Sequence, residues 1–249
     1  MTKFVNILGY QISSMGVNED VNQAFVSILK NEHFSWMACA NPHSLVEAHN
    51  DKQFSTALHN ADILLPDGSG IVLAARMLGL SLGERVAGFD FYSGLNSRSQ
   101  ERKLKYFFLG STEKVLVLIK QRLKVEFPNI EVVGTYSPPF KPEFSEDENN
   151  AMIEAVNTAR PDVLWVGMTA PKQEKWIHQN RKCLRVPFVG AIGAVFDFYA
   201  GTKYRAPQWL CALGLEWLPR FIREPRRLWR RNLVSTPVFI LRVLQQKFG

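Results

Sequence analysis

Four polar or glycine-rich groups in this chain each stand directly after a short apolar run. They are Asn41-Pro42-His43, Pro66-Asp67-Gly68-Ser69-Gly70, Leu109-Gly110-Ser111-Thr112 and Gly167-Met168-Thr169-Ala170-Pro171-Lys172-Gln173-Glu174. Asp67 is the sharpest of them, because a carboxylate on a glycine-flanked turn at a strand end faces a cleft and lies near a helix N-terminus. The same position suits an N-cap, which is how most such aspartates are used. Gly68-Ser69-Gly70 and Gly110-Ser111-Thr112 can offer backbone N–H groups to phosphate oxygens, although neither matches the dinucleotide fingerprint or the P-loop lysine pattern. The chain has no Asp-x-Asp pair to hold a divalent ion against a diphosphate. A bound phosphate would therefore be neutralised by arginine, and Arg220, Arg223, Arg227 and Arg230, spaced three, four and three apart, would line one helical face apart from an interruption at Pro225.

Other chemistries are disfavoured. Cys39, Cys183 and Cys211 are far apart, odd in number and without a Cys-x-x-Cys spacing, which fits a reducing compartment and argues against zinc. None of the histidines 33, 43, 49, 59 and 178 pairs with another four residues away, so no metal centre is expected.

The elements that must position these groups read as strands alternating with helices. Apolar runs at Phe4–Leu8, Phe34–Ala40, Ala61–Leu65, Lys105–Leu109, Ile130–Gly134, Val163–Met168 and Val186–Ile192 are plausible buried strands. Between them, Val21, Phe25, Ile28 and Leu29 make one helical stripe, and Val115, Leu118, Ile119 and Leu123 another. Ser145-x-x-Glu148 reads as a capping box opening a helix, which gives the acidic cluster there a structural use. The pattern predicts an α/β fold: a mostly parallel, Rossmann-like sheet with helices on both faces and ligands beyond the carboxyl ends of its strands.

Charge divides the 249 residues unevenly. Pro219–Gly249 holds eight basic residues and one acid, a surplus of seven that equals the formal net charge of the whole chain, so the body before it is balanced. The same stretch interleaves Phe221, Leu228, Trp229, Leu233, Phe239, Ile240, Leu241 and Leu244 with its arginines. That composition suits the headgroup layer of an anionic membrane. Nucleic acid attracts the same charge, but no helix-turn-helix, ribonucleoprotein or zinc-finger pattern is present, so membrane is favoured and no nucleic acid is expected. The longest apolar run, Phe188 to Phe196, is far short of a bilayer span, and the N-terminus carries no secretion signal. A cytoplasmic location follows, with residues 1–218 as the charge-balanced body and 219–249 as a basic amphipathic membrane-docking appendage.

The motifs occur in a recognisable order. Ala40-Asn41-Pro42, Leu65-Pro66-Asp67-Gly68-x-Gly70, Arg85-Val86-x-Gly88-x-Asp90 and Phe108-Leu109-Gly110 come first. Gly167-x-x-x-Pro171-Lys172-Gln173-Glu174-Lys175-Trp176, Gly193-Ala194-x-Phe196-Asp197-x-x-x-Gly201, Arg205-Ala206-Pro207, Gly214-Leu215-Glu216-Trp217 and Glu224-Pro225-Arg226-Arg227-Leu228-Trp229-Arg230-Arg231 follow. Together they closely resemble the WecG/TagA/CpsF family of bacterial glycosyltransferases, from about Asn6 to about Arg231.

The resemblance implies a membrane-associated enzyme that moves a sugar from a UDP-sugar onto a polyprenyl-diphosphate-linked sugar with inversion, using neither metal nor cofactor. Carried over residue by residue, it makes Asp67 the base and assigns Asn41 and Gln173 to orienting sugar or acceptor. Arg85 would pair with phosphate or with Asp90, Gly110 would meet the substrate, and Asp197 would hold ribose or sugar hydroxyls. Arg220, Arg227 and Arg230 would close over the diphosphate. The expected mechanism has membrane contact fold Pro219–Gly249 over the cleft, so removing residues 219–249 should abolish transfer and spare the fold. One departure is Cys39, where many relatives have a hydroxyl two positions before the motif asparagine. The rival class is a non-catalytic nucleotide-sugar- or lipid-binding regulatory module. The apolar surface of the tail also admits a homo-oligomer.

Overall fold

The computed structural model describes residues 3–204, 206–207, 210 and 217–249. Strands β1 (Phe4–Ile7) and β2 (Tyr10–Ser13) form an antiparallel hairpin of their own. The remaining six, β3 (Ser35–Ala40), β4 (Ile63–Pro66), β5 (Lys105–Gly110), β6 (Glu131–Tyr136), β7 (Val163–Gly167) and β8 (Phe188–Ala191), form a wholly parallel sheet in the order β4-β3-β8-β7-β5-β6. The expected strand near Phe4–Leu8 thus exists but does not join the sheet. Leu8 and Gly9 both adopt positive φ, at 52° and 89°, and turn the chain straight back into Tyr10–Ser13, a strand that its short, mixed composition hid.

Both sheet faces are covered, which is why the central strands read as continuous apolar runs rather than alternating ones. In β5, Phe107 and Leu109 face one core and Tyr106 and Phe108 the other; in β7, Leu164 and Val166 oppose Val163 and Trp165. Helices α1 (Val17–Lys30), α5 (Gly88–Ser99), α6 (Glu113–Glu126) and α9 (Val195–Ala200) cover one face. Helices α2 (Pro42–Asn50), α3 (Lys52–His59), α4 (Ser69–Met77), α7 (Glu146–Ala159) and α8 (Lys172–Asn180) cover the other, together with the hairpin. Of the α1 stripe, Val21, Phe25 and Ile28 are buried and Leu29 faces solvent. The capping box at Ser145 is formed: its hydroxyl accepts from the Glu148 N–H at 3.3 Å, and Glu148 accepts from the Ser145 N–H at 2.7 Å.

The chain ends in a helical run: α10 (Trp217–Arg223), α11 (Pro225–Trp229), a π-helical turn (Arg230–Ser235) and α12 (Thr236–Phe248). The interruption expected at Pro225 is real. Glu224 leaves helical geometry at φ −130°, ψ 55°, and Pro225 opens the next helix, where its missing N–H costs nothing. The expected separation of 219–249 from the body does not extend to α12. This helix packs on α2 and α4, and its Phe239 and Val243 are wholly enclosed in the body's core. Gln246 also accepts from the Leu8 N–H at 2.7 Å and donates to the Asn6 carbonyl at 3.2 Å. Removing 219–249 would therefore open the core rather than spare the fold.

Candidate active site

Five adjacent strands, β4, β3, β8, β7 and β5, deliver the sequence-predicted groups to one edge of the sheet. Asp67 follows β4 and Asn41 follows β3; their loops are stitched together, since the Asp67 N–H donates to the Ala40 carbonyl at 2.8 Å. Gly70 lies so close to Pro42 that a Cβ there would stand 2.4 Å from the proline ring. The N-cap of α4 is Gly68, not Asp67, and no side chain caps that helix. Asp67 is half-buried at the mouth of the edge, so the commonest structural use of such a residue is not the one made of it.

Asn41 does have a structural use. Its Oδ1 accepts from the Ser44 N–H at 3.0 Å while Ser44 accepts from the Asn41 N–H at 2.8 Å, a reciprocal cap on α2. The cap holds the side chain in place and leaves its Nδ2 amide as the group able to meet a ligand.

Gln173 sits in the first turn of α8, after β7 and a cis Ala170–Pro171 bond. It is only 5% exposed and donates from Nε2 to Glu174 at 2.8 Å. Its Oε1 is enclosed with no hydrogen-bond partner among the described residues, and the same holds for one oxygen of Glu174. Gln173 lies against the turn after β8: a Cβ on Gly193 would come 3.3 Å from its Oε1. Glu174 is the functional candidate that sequence reasoning missed. Burial raises its carboxyl to about 7, so it titrates near neutrality in the centre of the site. The local pattern Lys172-Gln173-Glu174-Lys175 looks like a solvated helix start; only the fold turns Gln173 and Glu174 inward while Lys175 pairs with Asp51 on the surface.

Cys39 ties the two halves of the edge together. Its thiol is pushed well up, first by desolvation and then by the carboxylates of Asp67, Glu174 and Asp90, against which the Gly88 N–H acts. The charges of three acids, one on the loop after β4 and two in the first turns of α5 and α8, are therefore felt at one short side chain. Arg85 pairs with Asp90: the guanidinium lies 3.4 Å from a carboxylate oxygen that also accepts from the Ala87 N–H at 3.3 Å. Gly110 closes β5 at φ +120°, with a would-be Cβ only 2.5 Å from the Gly167 carbonyl, so glycine there serves close approach of β5 to β7. Asp197 lies on α9, its carboxylate held by Lys203 at 2.8 Å and Thr202 at 3.1 Å, where it pins the turn that ends the helix.

The arginine run reaches this edge through α2. His43, two residues after Asn41, makes a 2.8 Å hydrogen bond to Ser235 in the π-helical turn. Burial, then the charge of Arg231, lowers the His43 pKa. Arg230 is exposed, its guanidinium 5.5 Å from the Trp229 ring. The side chains of Arg220 and Arg227, and all of Arg205 and Gly214-Leu215-Glu216, lie outside the described residues. Among the described residues no three His, Cys, Asp or Glu side chains gather as a metal-holding group. A cavity of about 920 Å³ opens at the other end of the sheet, between Pro161-Asp162 and Arg185, away from these groups.

Known proteins resemble this chain over nearly its whole length. A curated protein of Bacillus spizizenii, N-acetylglucosaminyldiphosphoundecaprenol N-acetyl-beta-D-mannosaminyltransferase, is 30% identical over 246 residues, covering 99% of this chain and 92% of its own. A protein of the same name from Bacillus subtilis is 30% identical over 211 residues, covering 85% and 79%. One from Staphylococcus aureus is 25% identical over 249 residues, covering 99% and 94%. The sequence model of the "Glycosyl transferase WecG/TagA/CpsF family" matches residues 5–249, and the chain belongs to that family.

Proposed function

We propose that this protein transfers N-acetylmannosamine, or a close relative such as its uronic acid or glucose, from a UDP-sugar to a polyprenyl-diphosphate-linked sugar, with inversion and without a metal ion. The observation that carries the reading is the meeting of Asp67, Asn41 and Gln173 at one sheet edge, next to the point where His43 receives the arginine-rich run. The names of the Bacillus and Staphylococcus relatives support the acceptor class and the transferred sugar.

In this reading Asp67 takes the proton of the acceptor hydroxyl as that oxygen bonds to the anomeric carbon. The bond from that carbon to UDP breaks, and its electron pair leaves on the β-phosphate. One base suffices for inversion, because UDP is already a good leaving group and needs no second carboxylate as acid. The Nδ2 of Asn41 and the Oε1 of Gln173, each on an amide whose other atom is held by a partner, orient sugar hydroxyls or the N-acetyl group, so reacting atoms are held rather than gathered. Arg220, Arg227 and Arg230 neutralise the diphosphate in place of a metal.

The peripheral membrane site is part of the same proposal. No helix among the described residues is long and apolar enough to cross a membrane. The stretch from Trp217 to Val234 exposes Trp217, Ile222, Trp229, Leu233 and Val234 among its arginines, which supports docking on an anionic inner membrane face. With α12 anchored in the core, the part free to close over acceptor is α10 to the π-helical turn.

UDP release across a panel of UDP-sugars, with and without a polyprenyl-diphosphate-linked amino sugar, tests the reading. Acceptor-dependent release with one donor, reduced about 10²–10⁴-fold in Asp67→Asn, is expected. Undiminished release in Asp67→Asn would remove Asp67 as base, and no turnover with any pair would favour a binding module.

A further inference from the structure

A second concavity, of about 640 Å³, lies between α2, α3, the β1–β2 hairpin and α12. Its position separates it from the reaction edge. Asn41 opens α2 at that edge, whereas the cavity is walled by Ala48 and His49 from the last turn of the same helix, about 12 Å further along its axis.

The lining is unusual in its charge. Lys52, Arg242, His49 and His59 all border it, and no Asp or Glu does. Among the described residues none of these four takes part in an ion pair. The acids nearest in sequence are occupied elsewhere: Asp51 holds Lys175 and caps α3, and Glu47 lies 3.9 Å from His43. Arg242 carries an enclosed Nη1 with no hydrogen-bond partner among the described residues. An arginine cannot shed its charge, so a partly enclosed guanidinium without a counter-charge favours an anion beside it.

The other walls indicate what kind of anion. Tyr10 and His59 stack at 4.3 Å with 13° between their planes, and the Tyr10 hydroxyl is fixed by Ser55 at 2.9 Å. This flat pair, with Leu8 and Leu45 beside it, offers apolar contact for the organic part of a ligand. The volume is too large for a bare ion and falls in the range of small-molecule sites. A guanidinium and an ammonium are donors only, suited to the several acceptor oxygens of a phosphoryl group.

We propose that this cavity binds the phosphoryl group of an organic phosphate ester, with Arg242 and Lys52 as its main contacts, at a site distinct from the reaction edge. An occupant here holds α12 to α2 and α3. Because α12 continues from the π-helical turn whose Ser235 bonds His43, it also steadies the approach of the arginine run to the reaction edge. The phosphate could come from a soluble ester or a lipid headgroup; Leu241, Leu244 and Phe248 form an exposed apolar stripe on α12 beside Arg242.

The test uses the full chain and the double variant Lys52→Gln/Arg242→Gln, with glycerol phosphate as probe in calorimetry and vesicles of phosphatidylglycerol or phosphatidylcholine in sedimentation. A triple variant, Arg223→Gln/Arg226→Gln/Arg230→Gln, controls for the general charge of the run; thermal unfolding confirms that each variant keeps its fold, and UDP affinity confirms that the double variant keeps its reaction edge. Glycerol phosphate should bind the wild type and the triple variant alike, and the double variant at least tenfold more weakly. If phosphatidylglycerol vesicles displace glycerol phosphate and lose affinity in the double variant, the ligand is a headgroup; if vesicle binding is unchanged there, it is a soluble ester. Equal affinity of double variant and wild type for both probes, or no binding of either at about 1 mM, would overturn the proposal. Neither result depends on turnover, so it stands or falls apart from the transferase reading.

Discussion

The sheet edge and the C-terminal run hold their charges in opposite ways. At the edge, Asp67 on the loop after β4, Asp90 in the first turn of α5 and Glu174 in the first turn of α8 all act on the Cys39 thiol, and their places are set by strands buried on both faces. In the run, six of the eight basic residues after Pro219 share a stretch with exposed Ile222, Trp229 and Leu233, and the apolar hold on the body comes from two core residues of α12. The contrast shows that an acid-rich edge is suited to take a proton but not to bind a diphosphate. In the proposed reaction the positive charge would come from a separate element, which the His43–Ser235 hydrogen bond ties to α2. It also shows that a boundary in charge is not a boundary in packing, since the basic segment is half surface and half core.

Three measurements would break or sharpen this contrast. The largest effect is expected from Phe239→Ala. Emptying a fully enclosed aromatic site should cost about 3–5 kcal/mol in urea unfolding; a value under about 1 kcal/mol would return α12 to the status of a loose appendage.

Glu174→Gln addresses the edge. In the folded state this carboxyl keeps its proton to about pH 7, whereas its ordinary value is 4.5, so between those values the folded state binds more protons than the unfolded one. Wild-type stability should therefore fall by about 3 kcal/mol as pH rises from 4.5 to 7. Asp20, raised to about 6 by burial, adds a smaller loss at the acidic end of the same window. Glu174→Gln should flatten the upper part of the slope and leave the Asp20 part in place. An unchanged slope in unfolding curves at pH 5, 6 and 7 would mean that Glu174 titrates normally.

The smallest stability effect belongs to the outer half of the run. Ile222→Ser with Leu233→Ser should move unfolding by no more than about 0.5 kcal/mol for each change, because both side chains are well exposed. The same pair should weaken sedimentation with anionic vesicles about tenfold or more, since it removes apolar area available to the lipid boundary. Loss of stability without loss of vesicle binding would reverse the roles assigned to the two halves.

Much of the fold was legible because its signals are local. Parallel strands buried on both faces must be apolar throughout, so β3, β4, β5, β7 and β8 stand out as runs. The capping box at Ser145 and the break at Pro225 are likewise local chemistry. The placing of Asp67, Asn41 and Gln173 at one sheet edge was legible because each belongs to a group that follows a strand. Glu174 was missed because its sequence neighbours are lysines and glutamine, and which of these side chains is buried is decided by the fold: Gln173 lies against the turn at Gly193, and Glu174 is enclosed beside it. The pairing of Asp197 with Lys203 is close in sequence, but only the end of α9 at Gly201 brings the two groups together.

The sequence by itself determined the alternation of strands and helices, the placing of polar groups at strand ends, the balance of charge between body and tail, and the ordered motifs of the family. These depend on residue type and spacing along one segment. Only the tertiary structure decided that the first strand pairs outside the sheet, that Asp67 is not a cap, that three acids meet at Cys39, and that Phe239 and Val243 complete the core from the end of a basic segment. The charges felt at Cys39 and the enclosure of Phe239 and Val243 depend on residues far apart in the chain, where burial and the approach of other groups, rather than local pattern, set the energy.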